Sequence, residues 1–185
     1  MNYTLPTVLE VNGTEYEIRS DYRPILDILV AMGDPELSDD EKAYVTLQIL
    51  YQDWENIPTE DYEEAVAQAY WFIDGGKEPK KTNSPRLMDW EQDFGWYIAP
   101  INRIAGQDIR GVPYVHWWTF LSFYNEIGEC AFAQIVSIRN KRKRGKKLEK
   151  WESEWYRQNQ EIVDIKQKYT SAEDDLVAKW TKGVS

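Results

Sequence analysis

At 185 residues with 42% hydrophobic content, the chain can close one core, with room for an appended arm or two small lobes. The formal charge of −10 is uneven: residues 1–138 hold 9 Lys/Arg against 24 Asp/Glu, a net of −15, while residues 139–185 hold 13 against 8, a net of +5. An acidic body repels nucleic acid and anionic membrane, and no stretch approaches the roughly 20 apolar residues that span a bilayer, so neither membrane insertion nor export is expected.

The first element is a hairpin, because Asn12-Gly13 is the dipeptide that a two-residue type I′ turn requires. Pairing Val11 with Thr14 sets Leu9 opposite Tyr16 and Thr7 opposite Ile18. Leu9, Val11, Tyr16 and Ile18 then share one apolar face, with Glu10, Glu15 and Glu17 on the other. A lone hairpin is marginal in water, so this face must lie on the helices or extend a sheet in a neighbouring subunit. A helix follows from Asp21 to a stop at Gly33. Ser38 to Glu41 form a capping box that opens a second, and Thr59 is expected to cap a third ending before Asp74-Gly75-Gly76. Residues 77–84, KEPKKTNS, are expected to be an exposed linker.

Ser84-Pro85 predicts a helix start, with Leu87, Trp90, Phe94, Tyr97, Ile98, Ile101 and Ile104 at helical spacing and Pro100 kinking or dividing it. Pro113 is expected to open an aromatic helix carrying Trp117, Trp118, Phe120, Leu121 and Tyr124. A segment through Phe132, Ile135 and Ile138 follows. Cys130, the single cysteine, cannot form an internal disulfide, and its apolar setting suits a small buried residue in a reducing cytoplasm. The last long segment places Leu148, Trp151, Trp155, Gln158, Ile162, Ile165 and Tyr169 at alternating spacings of three and four, a narrow heptad seam that predicts one long helix. Ser171 starts a final short helix anchored by Leu176 and Trp180. The expected class is thus mainly α: a helical domain with an N-terminal β-hairpin and a long C-terminal helix. It divides as 1–76 (hairpin and helical lobe), 77–84 (linker), 85–140 (aromatic-rich helical core) and 141–185 (basic run and C-terminal helices).

Nothing in this pattern marks a catalytic centre, and neither a cofactor nor a metal is expected. The one histidine, His116, has no thiolate or second imidazole at ligand spacing and is expected to bond to backbone or a neighbouring acid. Gly145-Lys146 lacks the earlier glycine and following hydroxyl of a phosphate loop. The basic run Lys141, Arg142, Lys143, Arg144, Lys146 and Lys147 could neutralise several phosphates, but no aromatic stacking residue interleaves it, so direct nucleic-acid binding is disfavoured. The surfaces expected to meet another protein are the hairpin face (Leu9, Val11, Tyr16), Trp118 and the seam residues Trp151, Trp155 and Ile162.

Residues from about 70 to 165 add a resemblance, centred on Tyr114-Val115-His116-Trp117-Trp118-Thr119-Phe120. Asp93-Phe94 and Asp108-Ile109 precede this aliphatic-His-Trp-Trp-x-Phe segment; an Ile-x-x-Ile-Arg segment, Ile135 to Arg139, and then a basic helix follow it. In that order the features resemble the tail assembly chaperones of long-tailed phages of Gram-positive bacteria and of prophages. The chain departs from the pattern at residues 102–107, where an aromatic-Gly pair would precede Asp108, and at Pro100. The resemblance implies a mostly helical protein in the bacterial cytoplasm, absent from the finished particle, that keeps the tape measure protein soluble while the tail tube assembles. It implies the tape measure protein, further copies of the chain and the tail tube protein as partners. Two other functions remain open: a structural protein of the tail or connector, and a nucleic-acid-binding regulator acting through residues 141–147.

Overall fold

The computed structural model describes residues 4–77, 85–168 and 170. Asn12 and Gly13 both take positive φ, 48° and 86°, and join β1 (Val8–Val11) to β2 (Thr14–Glu17) in the predicted register, Val11 opposite Thr14 and Leu9 opposite Tyr16. The apolar face of the ribbon is laid on the chain's own helices: Leu9, Val11 and Ile18 are buried in the core, and Asn12 donates to the Asp61 carboxylate at 2.6 Å. Three glutamates, Glu10, Glu15 and Glu17, face solvent.

Helix α1 (Tyr22–Met32) starts at the Asp21 cap and ends at Gly33, and α2 (Asp39–Leu50) starts at the Ser38/Glu41 capping box, both as the sequence dictates. The carboxyl end of α2 lacks a basic residue of its own; Arg19 supplies the charge from β2's extension, donating to the carbonyls of Gln48, Ile49 and Tyr51 at 3.1, 3.0 and 2.8 Å. Thr59 does not cap the next helix. It opens a 3₁₀ turn, Thr59–Asp61, from which α3 (Tyr62–Ile73) continues.

The helix expected from Ser84-Pro85 begins later, as α4 (Phe94–Ala105); Ser84 itself lies outside the described residues. Local side-chain bonds explain the delay. The Asp89 carboxylate accepts from the backbone of Glu91 and Gln92 at 3.0 and 2.8 Å, and Asp93 accepts from the Asp89 backbone at 2.9 Å, which holds this stretch as turns in competition with a helix. Pro100 lies inside α4 without dividing it; the donor it lacks would have faced the carbonyl of Trp96, a residue open to water.

Helix α5 (Trp117–Asn125) begins at Trp117 and not at Pro113, because His116 is its cap. Cys130, half-buried, caps α6 (Ala131–Lys143), its Sγ accepting from the backbone of Ala133 at 3.4 Å. The heptad seam does not make one long helix. Helix α7 (Lys150–Gln158) stops at Asn159, where φ is −129°, and a single turn, α8 (Gln160–Val163), follows before the chain extends. Folding back this way lets Ile162 and Val163 offer their carbonyls to Arg139, which a continuous helix would keep for itself. Tyr169 and the expected helix from Ser171 with Leu176 and Trp180 lie outside the described residues, as does all of the expected linker except Lys77. Buried side chains from Leu9 to Phe132 form one cluster, so the hairpin, α1–α3 and α4–α6 share a core.

Candidate protein-binding surface

The His-Trp-Trp segment is a staple. His116 Nδ1 accepts from the Trp118 backbone at 3.0 Å, which leaves Nε2 as the protonated nitrogen, donating to the Pro6 carbonyl at 2.9 Å ahead of the hairpin. Burial lowers the imidazole's pKa, and the Pro6 carbonyl partly opposes this. Both indoles donate into the carboxyl end of α3, Trp117 to Ile73 and Trp118 to Phe72, each at 2.8 Å. They cap carbonyls of the last turn of α3, where helical donors run out; that of Phe72 also accepts the Gly75 N–H at 3.1 Å. A backbone crossing completes the join: Tyr22 donates to Val115 at 3.0 Å and Trp117 to Ser20 at 2.8 Å.

Two further residues on which the resemblance rests, Asp93 and Arg139, meet in the interior. The two side chains are 1% and 4% exposed and form a bidentate pair at 2.6 and 2.9 Å. Arg139 uses its remaining donors on the carbonyls of Leu87 at 3.1 Å, Ile162 at 2.9 Å and Val163. One guanidinium thus ties α6 to the start of α4, to the turn before it and to α8. Burial also pushes the Tyr124 phenol, near this pair, up to about 12.

Of the surface residues expected from sequence, Leu9 and Val11 are consumed by the core, and Tyr16 lies edge-on to Tyr51 with ring centroids 6.2 Å apart. Trp118 is half-buried against Trp71 and Phe72. Trp155 and Ile162 are half-buried, whereas Trp151 is 56% exposed, the most open of the large apolar side chains among the described residues. The basic run divides. Lys141 pairs with the buried Glu152 at 2.6 Å and holds that carboxyl below its usual range, while Arg142 pairs with Asp164 and lies 4.0 Å over the Tyr156 ring. Lys143, Arg144, Lys146 and Lys147 stand exposed.

The sequence did not single out the apolar groove between α1 and the turn entering α4. Its floor is Tyr22 and Leu26, its walls are Val30, Trp90 and Phe94, and its volume is about 490 Å³, within the range of pockets that bury a ligand. The cations at one end are already engaged. Arg23 donates to the carbonyls of Ile109 and Val112 at 3.2 and 2.6 Å, and Arg110 pairs with Asp108 at 2.6 Å, which holds that carboxyl far below its usual range. Asp27 and Glu91 supply acid along the rim. The available signal was the row Tyr22, Leu26, Val30 at i, i+4, i+8, one stripe of α1. The groove offers flat apolar area with a charged edge, which suits an amphipathic polypeptide segment. Among the described residues no cluster of His, Cys, Asp or Glu could hold a metal ion, and no helix is long and apolar enough to cross a membrane.

No curated protein and no solved structure matches the chain. The family model described as bacteriophage Gp15 protein matches residues 1–165, a span that takes in the hairpin, the His-Trp-Trp staple and the Asp93–Arg139 pair. The chain belongs to the bacteriophage Gp15 protein family.

Proposed function

We propose that the chain is a tail assembly chaperone of a phage or prophage, a binding protein and not an enzyme, whose partner is the tape measure protein. Its phage family and the resemblance centred on residues 114–120 support the setting. The observation that carries the reading is the groove of Tyr22, Leu26, Val30, Trp90 and Phe94, an aromatic slot open to an apolar helical segment. A tape measure is a long chain with apolar helical stretches that must stay covered until the tube encloses them. Many modest contacts suit that task, because cover must yield to tube subunits. Copies joined head to tail would supply the array, the exposed Lys143, Arg144, Lys146 and Lys147 of one against the acidic hairpin face of the next.

The test is co-expression with the product of the long neighbouring tail gene. The intact chain keeps that product soluble, and Val30→Asp, which places a charge on the groove wall, loses this effect while its far-ultraviolet dichroism stays unchanged. Equal solubility with and without the chain would remove the proposal. Recovery of the chain in purified particles at fixed stoichiometry would favour a structural tail protein instead.

A further inference from the structure

We infer that the arm of residues 150–168, which holds α7, α8 and the extended stretch after them, is an exchangeable ligand: the site it occupies on α6 and the turn entering α4 also takes the same arm from a second copy of the chain. Polar bonds fasten the arm, and the core does not reach it. Among the described residues, the shared apolar cluster and the side chains packed on it end at Val136, and the one buried side chain of α7 is charged, Glu152, which pairs with Lys141 at 2.6 Å. Residues 162–168 lie on the body as a bound peptide does, mostly through main chain. Arg139 donates to the carbonyls of Ile162 and Val163. Gln92 donates to the Asp164 carbonyl at 3.0 Å and accepts the Lys166 N–H at 2.9 Å, and the Asp164 and Lys168 side chains pair with Arg142 and Glu91. Of the arm's apolar side chains only Val163 is fully buried.

Each of these bonds joins arm to body, so each forms equally well whichever copy supplies the arm. Arg139 keeps Asp93 and the Leu87 carbonyl when the arm leaves, so no interior charge is stranded. The hinge is residues 144–149. Lys143, Arg144, Lys146, Lys147 and Lys150 stand exposed along it, and like charge so crowded favours an extended hinge. The compact turn depends on Gly145 at a φ of 63°, with its N–H on the Arg142 carbonyl at 3.0 Å and that of Lys146 on the Lys141 carbonyl at 2.8 Å. Extended, the hinge reaches about 20 Å. Closure in cis acts at an effective concentration on the order of millimolar, so exchange is slight in micromolar solution and grows as the chain approaches the millimolar range. Copies crowded along one partner reach that range locally; this consequence alone rests on the chaperone reading.

Charge-swapped full-length chains test the exchange. Alone, the Arg142→Glu chain sets like charge against its own Asp164, and the Asp164→Arg chain sets like charge against its own Arg142; mixed, each arm finds its complement only on the other copy. Sedimentation at about 0.1 mM shows a mixed dimer several-fold more abundant than the dimer of either chain alone, while a chain carrying both substitutions behaves as the wild type. A Cβ at Gly145 meets nothing within 4 Å, so Gly145→Val strains only the turn, and added to both chains it strengthens the mixed dimer roughly tenfold per hinge. Gly145→Asn, which tolerates the left-handed turn, leaves the dimer as it was. A mixture that dimerises no more than its separate components would overturn the inference. So would a mixed dimer indifferent to Gly145→Val, which would show copies pairing with their arms closed.

Discussion

Replacing Arg139 by Met isolates the interaction that holds the carboxyl-terminal half together. The substitution leaves Asp93, 1% exposed, without a counter-charge and strips three carbonyls of their donor. Breaking a buried pair from one side costs about 3–5 kcal/mol, because the surviving carboxylate stays out of water. For a domain of this size each kcal/mol lowers the melting temperature by about 2–4 °C, so the expected loss is about 6–20 °C. Adding Asp93→Leu removes the stranded charge and recovers much of the loss. Recovery is incomplete, because the carbonyls of Leu87, Ile162 and Val163 remain unpaired at about 0.5–1.5 kcal/mol each. Urea unfolding of the wild type, both single variants and the double variant, with slopes compared, closes the cycle. Additive single and double effects, or an Arg139→Met cost below about 1 kcal/mol, would refute the assignment of Asp93 and Arg139 as a coupled interior pair.

Gly76 has φ of 75°, and a Cβ there would come within 2.8 Å of the Trp118 ring, so Gly76→Ala should cost about 2 kcal/mol or more by urea unfolding. The chain has one histidine, and burial lowers its pKa in the fold. The unfolded chain therefore binds the proton more tightly, and stability is complete above about pH 6.5 and declines as the pH falls from there through the lower folded value. His116→Asn keeps a capping oxygen for Trp118 and should flatten the melting temperature between pH 7 and 5.5. Arg19→Met removes the donor shared by the Gln48, Ile49 and Tyr51 carbonyls and should cost about 1 kcal/mol, with faster amide exchange confined to the last turn of α2.

Local signals carried the amino-terminal part. Asn12-Gly13, Asp21, Gly33 and the Ser38/Glu41 box each act on their own backbone neighbours, so the sequence alone places β1, β2, α1 and the start of α2. Errors arose where a side chain takes backbone partners that no periodic pattern anticipates, near in sequence for Asp89 and His116 and across the chain for Arg139. Asp89 and Asp93 capture backbone donors and postpone α4, His116 takes the cap that Pro113 was expected to introduce, and Arg139 draws the carbonyls of α8 out of a heptad helix. Distance along the chain explains the surface. The sequence leaves the face of Leu9 and Val11 between the chain's own helices and a neighbouring subunit because α3, which packs on β1, is distant in sequence, and the groove is built from α1 and residues 90–94, which no single periodic stretch contains.

The Arg139 guanidinium also sets an order of events during synthesis. Asp93 leaves the ribosome well before its counter-charge, and the carbonyls of residues 162 and 163 follow later still. Until Arg139 arrives the start of α4 has a carboxylate that must stay wet, so the carboxyl-terminal half closes late, as one step, and a ribosome stalled before residue 139 would carry a nascent chain with its aromatic interior still open.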